Sequence, residues 1–403
     1  MDDRADTLDE KLNKLEHTCK ALQDSLMIRD RTITTRNADI KKLEAELRAA
    51  NRRTAELQRQ LKDRQAHEKE TERDLNEARD HIFRLQPRRR SITETEAQEA
   101  FQNLVSSVQR WVENRLNTIL DDLDSDVLDA RRCDPKLAER FLSLTRPRAE
   151  KYFTCADADE FHVTAAIMQY LCQHFFDKDF YAPLDDGLVD GKGTLKLIEE
   201  IGISMRQLPR EISQCRSWRS ETLAALVRQP EFDKRRSAYL ENHTNTLTQL
   251  LTVVVTGTSA RGLPESVWNS MIKPAMELAH ELQLSTDMFS VKWTPINSAN
   301  GQTDYEKQDD LGKYICVNVL QFGKVLKLPR GQSSPDETRI MYLFDICPGL
   351  FCQSVKDDSH PPERILCKPR VLVAASEGKQ KLAPKGPTVM EWILDATKDG
   401  MAV

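Results

Sequence analysis

The sequence predicts a mainly α protein: a long N-terminal coiled-coil helix, then an irregular multi-helix domain, with room for a few short strands near the C-terminus. Three observations lead there. An apolar seven-residue repeat runs unbroken through residues 1–86. Glycine is sparse, at 14 of 403 residues, and aromatics are only 6%, which disfavours a turn-rich sandwich or barrel. Apolar patterns of three- and four-residue spacing, each with a plausible cap, then follow one another to about residue 285. The chain divides into a coiled coil at 1–86, a basic joint at 87–93, a helical domain at 94–290 and a loop-rich C-terminal extension at 291–403 that packs on it.

Alternate steps of four and three residues meet Leu8, Leu12, Leu15, Leu22, Leu26, Ile33, Ile40, Leu43, Leu47, Leu57, Leu61, Leu75, Ile82 and Leu85, with Cys19, Ala50 and Ala78 on the same seam. No proline or glycine interrupts the run, and a strict seven-residue period makes a helix supercoil to keep its seam against a partner. A polar helix on the order of 115 Å long cannot hold itself up by propensity, so a partner strand is expected. That partner is a second copy of the chain. Leucine and isoleucine mix at the inner positions and do not choose between two strands and more; a dimer rests on frequency alone. Arg29, Arg36, Arg64, Glu68 and Thr71 fall on the seam and are read as local weakening ahead of register selection. In a parallel pair Lys11 with Glu16 and Asp74 with Arg79 attract, while Asp39 with Glu44 repel, so orientation stays open.

Pro87 ends the rod, because it lacks an amide hydrogen and disfavours helical geometry before it. Thr93 with Glu96, and Ser91 with Glu94, fit the capping box that opens the next helix, whose stripe runs from Ala97 through Trp111 to Leu123. Arg88, Arg89 and Arg90 before Ser91 match what basophilic kinases prefer, which makes Ser91 the candidate phosphosite; an unmodified cap is the plainer reading.

Further helices open at Asp134-Pro135, at Asp157 with Glu160 as cap, and at Pro209; others are expected over 195–201, 231–252 and 264–284, the last with a kink at Pro274. Beyond residue 285, apolar runs at 314–328, 339–345 and 365–373 suit strands or buried helix turns equally. Residues 294–310, 329–337 and 354–363 read as loops, and 376–387 as a linker to a last helix led by Val389, Trp392 and Ile393.

No secretory signal opens the chain, and the most apolar window, 247–255, is too short to span a bilayer, so no membrane role is expected. Nine scattered cysteines suit reduced thiols in the cytoplasm or nucleus. Residues 91–200 hold 22 acidic side chains against 12 basic ones, which a phosphate backbone would repel, so nucleic acid is not an expected partner.

Each stretch that suggests chemistry has a plainer role. Gly187 to Thr194 resembles a phosphate loop, but the glycine spacing is short by one and Gly193 separates Lys192 from Thr194. Asp121 to Asp129 lacks the glycine of a calcium loop. Cys347, Cys352, His360 and Cys367 lack the paired spacing of zinc knuckles, His162 and His174 lie too far apart on one helix to share a metal, and Cys172 and His174 point apart. The expectation is no enzyme, no cofactor and no metal.

The order of heptad rod, RRRSITETEAQEAF, VQRWVENRL, ERFLSL, DICPGLF and LCKPRVLVA resembles a group of uncharacterised proteins from filamentous fungi. The resemblance implies one helical unit after the rod and brings no activity with it. The functional expectation is a scaffold or adaptor that self-associates through 1–86 and binds protein partners through the helical domain. The alternative is an enzyme or ligand-binding domain in 94–403 whose polar residues converge only on folding.

Overall fold

Without a proline or glycine to break it, the N-terminal sequence forms a single helix, α1 (Asp2–Leu85), in the computed structural model. The structure describes residues 2–85, 91–124, 134–184, 192–208, 211–255, 260–295, 311–321, 323–326, 339–355, 362–376 and 388–399. The chain divides into two compact units, Met1–Arg89 and Arg90–Val403. In the first, α1 carries exposed ion pairs four residues apart, Glu10 with Lys14 at 3.9 Å, Glu44 with Arg48 at 3.7 Å and Arg73 with Glu77 at 3.3 Å. Such pairs are worth about 0.3–0.5 kcal/mol each, far too little to sustain a helix of this length.

In the second unit, Thr93 and Glu96 form the expected capping box: the Thr93 amide donates to Glu96 Oε2 at 2.9 Å and the Glu96 amide to Thr93 Oγ1 at 3.2 Å. It opens α2 (Glu94–Asp124), whose Phe101, Leu104, Val108, Val112, Leu116 and Ile119 are buried along one stripe. Asp134 Oδ1 accepts from the Lys136 amide at 2.9 Å and starts α3 (Pro135–Leu142).

The next helix departs from its expected cap. α4 (Asp159–Leu171) has Ala158 at its N-cap, with no side-chain hydrogen bond there. Asp159 reaches away instead, its carboxylate accepting from the Val389 and Met390 amides at 2.8 and 3.3 Å. It thereby caps the last helix, α10 (Val389–Asp399), from a distance of 230 residues in sequence. α4 is buried on nearly all sides and runs into a π turn, Cys172–Phe176.

α5 (Lys192–Arg206) is longer than expected at both ends. α6 (Ile212–Val227) takes Glu211 as its N-cap; Pro209, the expected opener, lies outside the described residues. α7 (Pro230–Leu251), α8 (Leu263–Val267), a π turn at Trp268–Ile272 and α9 (Lys273–Leu284) follow. That turn answers the kink expected at Pro274: the Lys273 amide bonds back to Trp268, and the wider spacing accommodates a ring with no donor.

The undecided apolar runs hold strands, with a 3-10 turn at Val319–Gln321 in the first of them, and a short strand precedes them. β1 (Met288–Lys292), β5 (Gly349–Gln353) and β6 (Arg364–Cys367) form an antiparallel sheet in the order β1-β5-β6. β3 (Lys324–Val325), β2 (Ile315–Asn318), β7 (Arg370–Ser376) and β4 (Arg339–Cys347) form the second in that order, with β2 and β7 parallel. β4 continues into β5, and β6 into β7, so the sheets share one bent antiparallel ribbon. Pro348 and Pro369 sit at its two bends, where a missing amide hydrogen ends each ladder. Along β7, Leu372 and Ala374 face the main core while Val371, Val373 and Ala375 face a smaller cluster with Ile340 and Tyr342. The main core runs from Ala97 to Ile393 and joins helices and ribbon.

Gly349 marks the tight point of the bend. A Cβ there would meet the Cys367 carbonyl oxygen and Pro369 Cδ, each at 2.7 Å. Gly349→Ala is expected to cost about 1–3 kcal/mol in urea unfolding, whereas Gly202→Ala on α5, whose nearest neighbour is the Trp218 ring at 3.9 Å, is expected to be neutral or to stabilise by up to about 1 kcal/mol.

Candidate functional site

The seam residues of α1 stand in water. Leu12, Leu15, Leu22, Leu26, Ile33, Ile40, Leu43, Leu47, Leu57, Leu61 and Leu75 are each between 52% and 65% exposed. The side chains of Leu8, Ile82 and Leu85 lie outside the described residues. Met27 and Ile28 are equally exposed but fall off the seam.

Of the joint, Arg88, Arg89 and Arg90 lie outside the described residues. Ser91 is exposed, and its hydroxyl sits 3.0 Å from that of Ser285, a buried residue just past α9. The Ser91 side chain therefore ties the entry of α2 to the end of α9 and is not the cap expected with Glu94. Glu94 itself pairs with Arg364.

The nucleophile and metal candidates are packed into the interior, with Cys352 and Cys367 on the paired strands β5 and β6. Cys172, Cys347, Cys352 and Cys367 are buried free thiols. Burial pushes the Cys347 and Cys352 thiols up to about 12 and the Cys172 thiol well above its ordinary value. Such thiols hold their protons and are poor nucleophiles. His360 and most of the run 121–129 lie outside the described residues, as do Gly187 and Gly191; Lys192, Gly193 and Thr194 open α5. Among the described residues no group of three His, Cys, Asp or Glu side chains is placed to hold a metal.

The histidines pack among aromatic rings. His162 is stacked on Phe344 at 4.2 Å between ring centres, and burial lowers its pKa to about 3. His174, in the π turn, lies 4.4 Å from His243, whose Nδ1 is 2.8 Å from the Tyr170 hydroxyl. Burial first, then the Lys178 charge, lowers His174 to about 4; burial, His174 and Lys178 lower His243 to about 3. His280, beside Tyr181, is lowered by burial and by Arg236.

Sequence reading passed over the arrangement around α6. Arg216, Arg219 and Ser220 share one helical face and reach the end of α9 and the residues just past it. Arg216 Nε and Nη2 donate to the Thr286 and Asp287 carbonyls, both at 3.3 Å; Arg219 Nη1 donates to Gln283 O at 3.2 Å, and Ser220 Oγ to Leu284 O at 2.5 Å. The Gln283 and Leu284 carbonyls are ones a helix C-terminus leaves unpaired, those of Thr286 and Asp287 follow just past it, and cations are favoured there. Arg219 Nη2 also donates to Asp179 O at 3.0 Å. Beside them opens a cavity of about 630 Å³ bounded by α5, α6, the end of α9 and the start of β1. The signal for it was CRSWRSE: two arginines and a serine at three- and four-residue spacing around a tryptophan.

No protein-family model, curated protein or solved structure matches the chain. No described helix is long and apolar enough to cross a membrane.

The titrating groups give a pH dependence. The four histidines have folded pKa values below the unfolded value near 6.5, so the stability they contribute is present above that pH and lost as pH falls. Asp159 opposes them: burial raises it from 3.8 to about 7, so its contribution falls as pH rises through that window, and Glu160, Asp177 and Asp345, which burial also raises, act in the same direction. Urea midpoints should drop on acidification from pH 6.5 towards 4. His162→Phe, which keeps the stack and removes the proton site, should make that slope shallower by at most about 1.4 kcal/mol per pH unit, and Asp159→Asn should steepen it.

Proposed function

We propose that the chain is a non-enzymatic scaffold that forms a homodimer through α1 and holds two copies of the unit Arg90–Val403 together for protein partners. The observation that carries this reading is the exposed seam: eleven leucines and isoleucines at seven-residue periodicity, each more than half open to water. Burying one such side chain fully is worth about 1.5–3 kcal/mol, so covering the row supplies on the order of 10 kcal/mol per chain before ordering costs. A second copy presents the same row at the same period, which an unrelated surface does not.

The buried, firmly protonated thiols and low-pKa histidines support a structural use of the residues that first suggested catalysis. Free cysteines throughout the described residues fit a reducing compartment, the cytoplasm or the nucleus.

Paired substitutions test the seam. Leu43→Asp with Leu47→Asp should raise the dimer dissociation constant by at least two orders of magnitude, about 2.7 kcal/mol, and lower the helical circular dichroism of α1. Ile28→Asp, equally exposed but off the seam, should leave both unchanged. Equal effects from the two sets would reject the assignment.

A further inference from the structure

We infer that the cavity bounded by α5, α6 and the end of α9 binds a small organic anion, its charged head against Arg216 and Arg206 and its apolar body against Trp218 and the inner face of α5. This site lies in the second unit and does not rest on the pairing of α1.

Volume and lining set the ligand class. About 630 Å³ falls inside the range of roughly 300–1,000 Å³ typical of small-molecule sites. The apolar side is built by Leu195 and Ile198 on α5, the Trp218 indole on α6, Phe176 at the end of the π turn, and Phe289 on β1. At Gly202 the α5 wall stands off that indole, since an added Cβ would still sit 3.9 Å from it. A flat or short-chain apolar body fits such a lining, and a bare inorganic ion would leave it empty.

The polar side is unbalanced in charge. Lys178, Arg206, Arg216 and Arg219 line the cavity against Asp179 and Glu199. The two carboxylates act on Arg219, whose guanidinium they help keep charged. Arg216 has the opposite surroundings: burial, then Arg219, then Arg206 pull its pKa down to about 10, and Asp287 opposes them only as the weakest influence. Among the described residues neither Arg216 nor Arg206 forms an ion pair, and Arg216 gives only two of its five donors to carbonyls. A partly buried guanidinium crowded by like charge gains most from an anion, and a planar fork in a cavity that the Trp218 indole also lines suits a carboxylate, phosphate or sulfonate head carrying an apolar group.

Calorimetric titration of the full chain with 1-naphthyl phosphate, 1-naphthol and inorganic phosphate tests this. The phosphate ester should bind saturably, one per chain, with 1-naphthol and inorganic phosphate each at least tenfold weaker. Arg216→Gln should weaken the ester at least tenfold. Because Arg216 also ties down the end of α9, Arg206→Gln, on an exposed side chain, is the second variant. It should weaken the ester three- to tenfold with the melting temperature unchanged. No saturable binding of the ester below 1 mM would overturn the proposal. So would 1-naphthol binding as tightly as its ester, or an ester affinity unmoved by Arg206→Gln in a folded protein.

Discussion

An apolar row open to water along α1 is the constraint on which this account depends. The helix has little else to hold it: its ion pairs are exposed and its threonines mostly bond back to their own backbone carbonyls, as Thr54 does to Ala50 at 3.0 Å and Thr71 to His67 at 3.0 Å. Helix propensity does not sustain 84 residues of this polarity in isolation. Leucines every three and four residues at more than half exposure are therefore a source of association free energy as well as a feature of shape.

The second unit is organised differently, around contacts distant in sequence. α4 is enclosed by neighbours, and its first residue caps a helix near the opposite end of the chain. The bent ribbon reaches α2 through polar ties, with Arg370 Nη1 donating to Gln109 Oε1 at 2.7 Å and Arg364 paired with Glu94. A buried cluster closes the far side: Asp345 accepts from Thr294 at 2.6 Å and from Tyr342 at 3.0 Å, and Arg146 lies at 3.6 Å from it and 4.1 Å from the Trp293 ring centre. Removing one partner from such a network strands another in low dielectric, so these groups specify one arrangement of the core.

How much of this was legible in the sequence follows from the range of each interaction. α1, the Thr93–Glu96 capping box and the Asp134–Lys136 cap are local, and residue spacing alone foretold them. The turn at Pro274 was also visible, as a ring and a missing donor inside a helical pattern. Asp159 was hidden because its partners lie 230 residues away, so the nearer Asp157 was assigned the cap. β1 was missed because five residues carry too little alternation, and the tail runs stayed undecided because β4 and β7, buried on both faces, lose their period while β3 and β6 are too short to show one. The arginines of the cavity were visible as a pattern, but their meaning depends on the α9 carbonyls and the α5 wall that only folding brings beside them.

Sedimentation equilibrium of the full chain at micromolar concentration addresses the central claim most directly. A dimer held through α1 predicts a mass twice the 46.2 kDa of one chain, falling towards the single-chain value on dilution. A mass of 46.2 kDa at every concentration, with α1 still helical by circular dichroism, would contradict it.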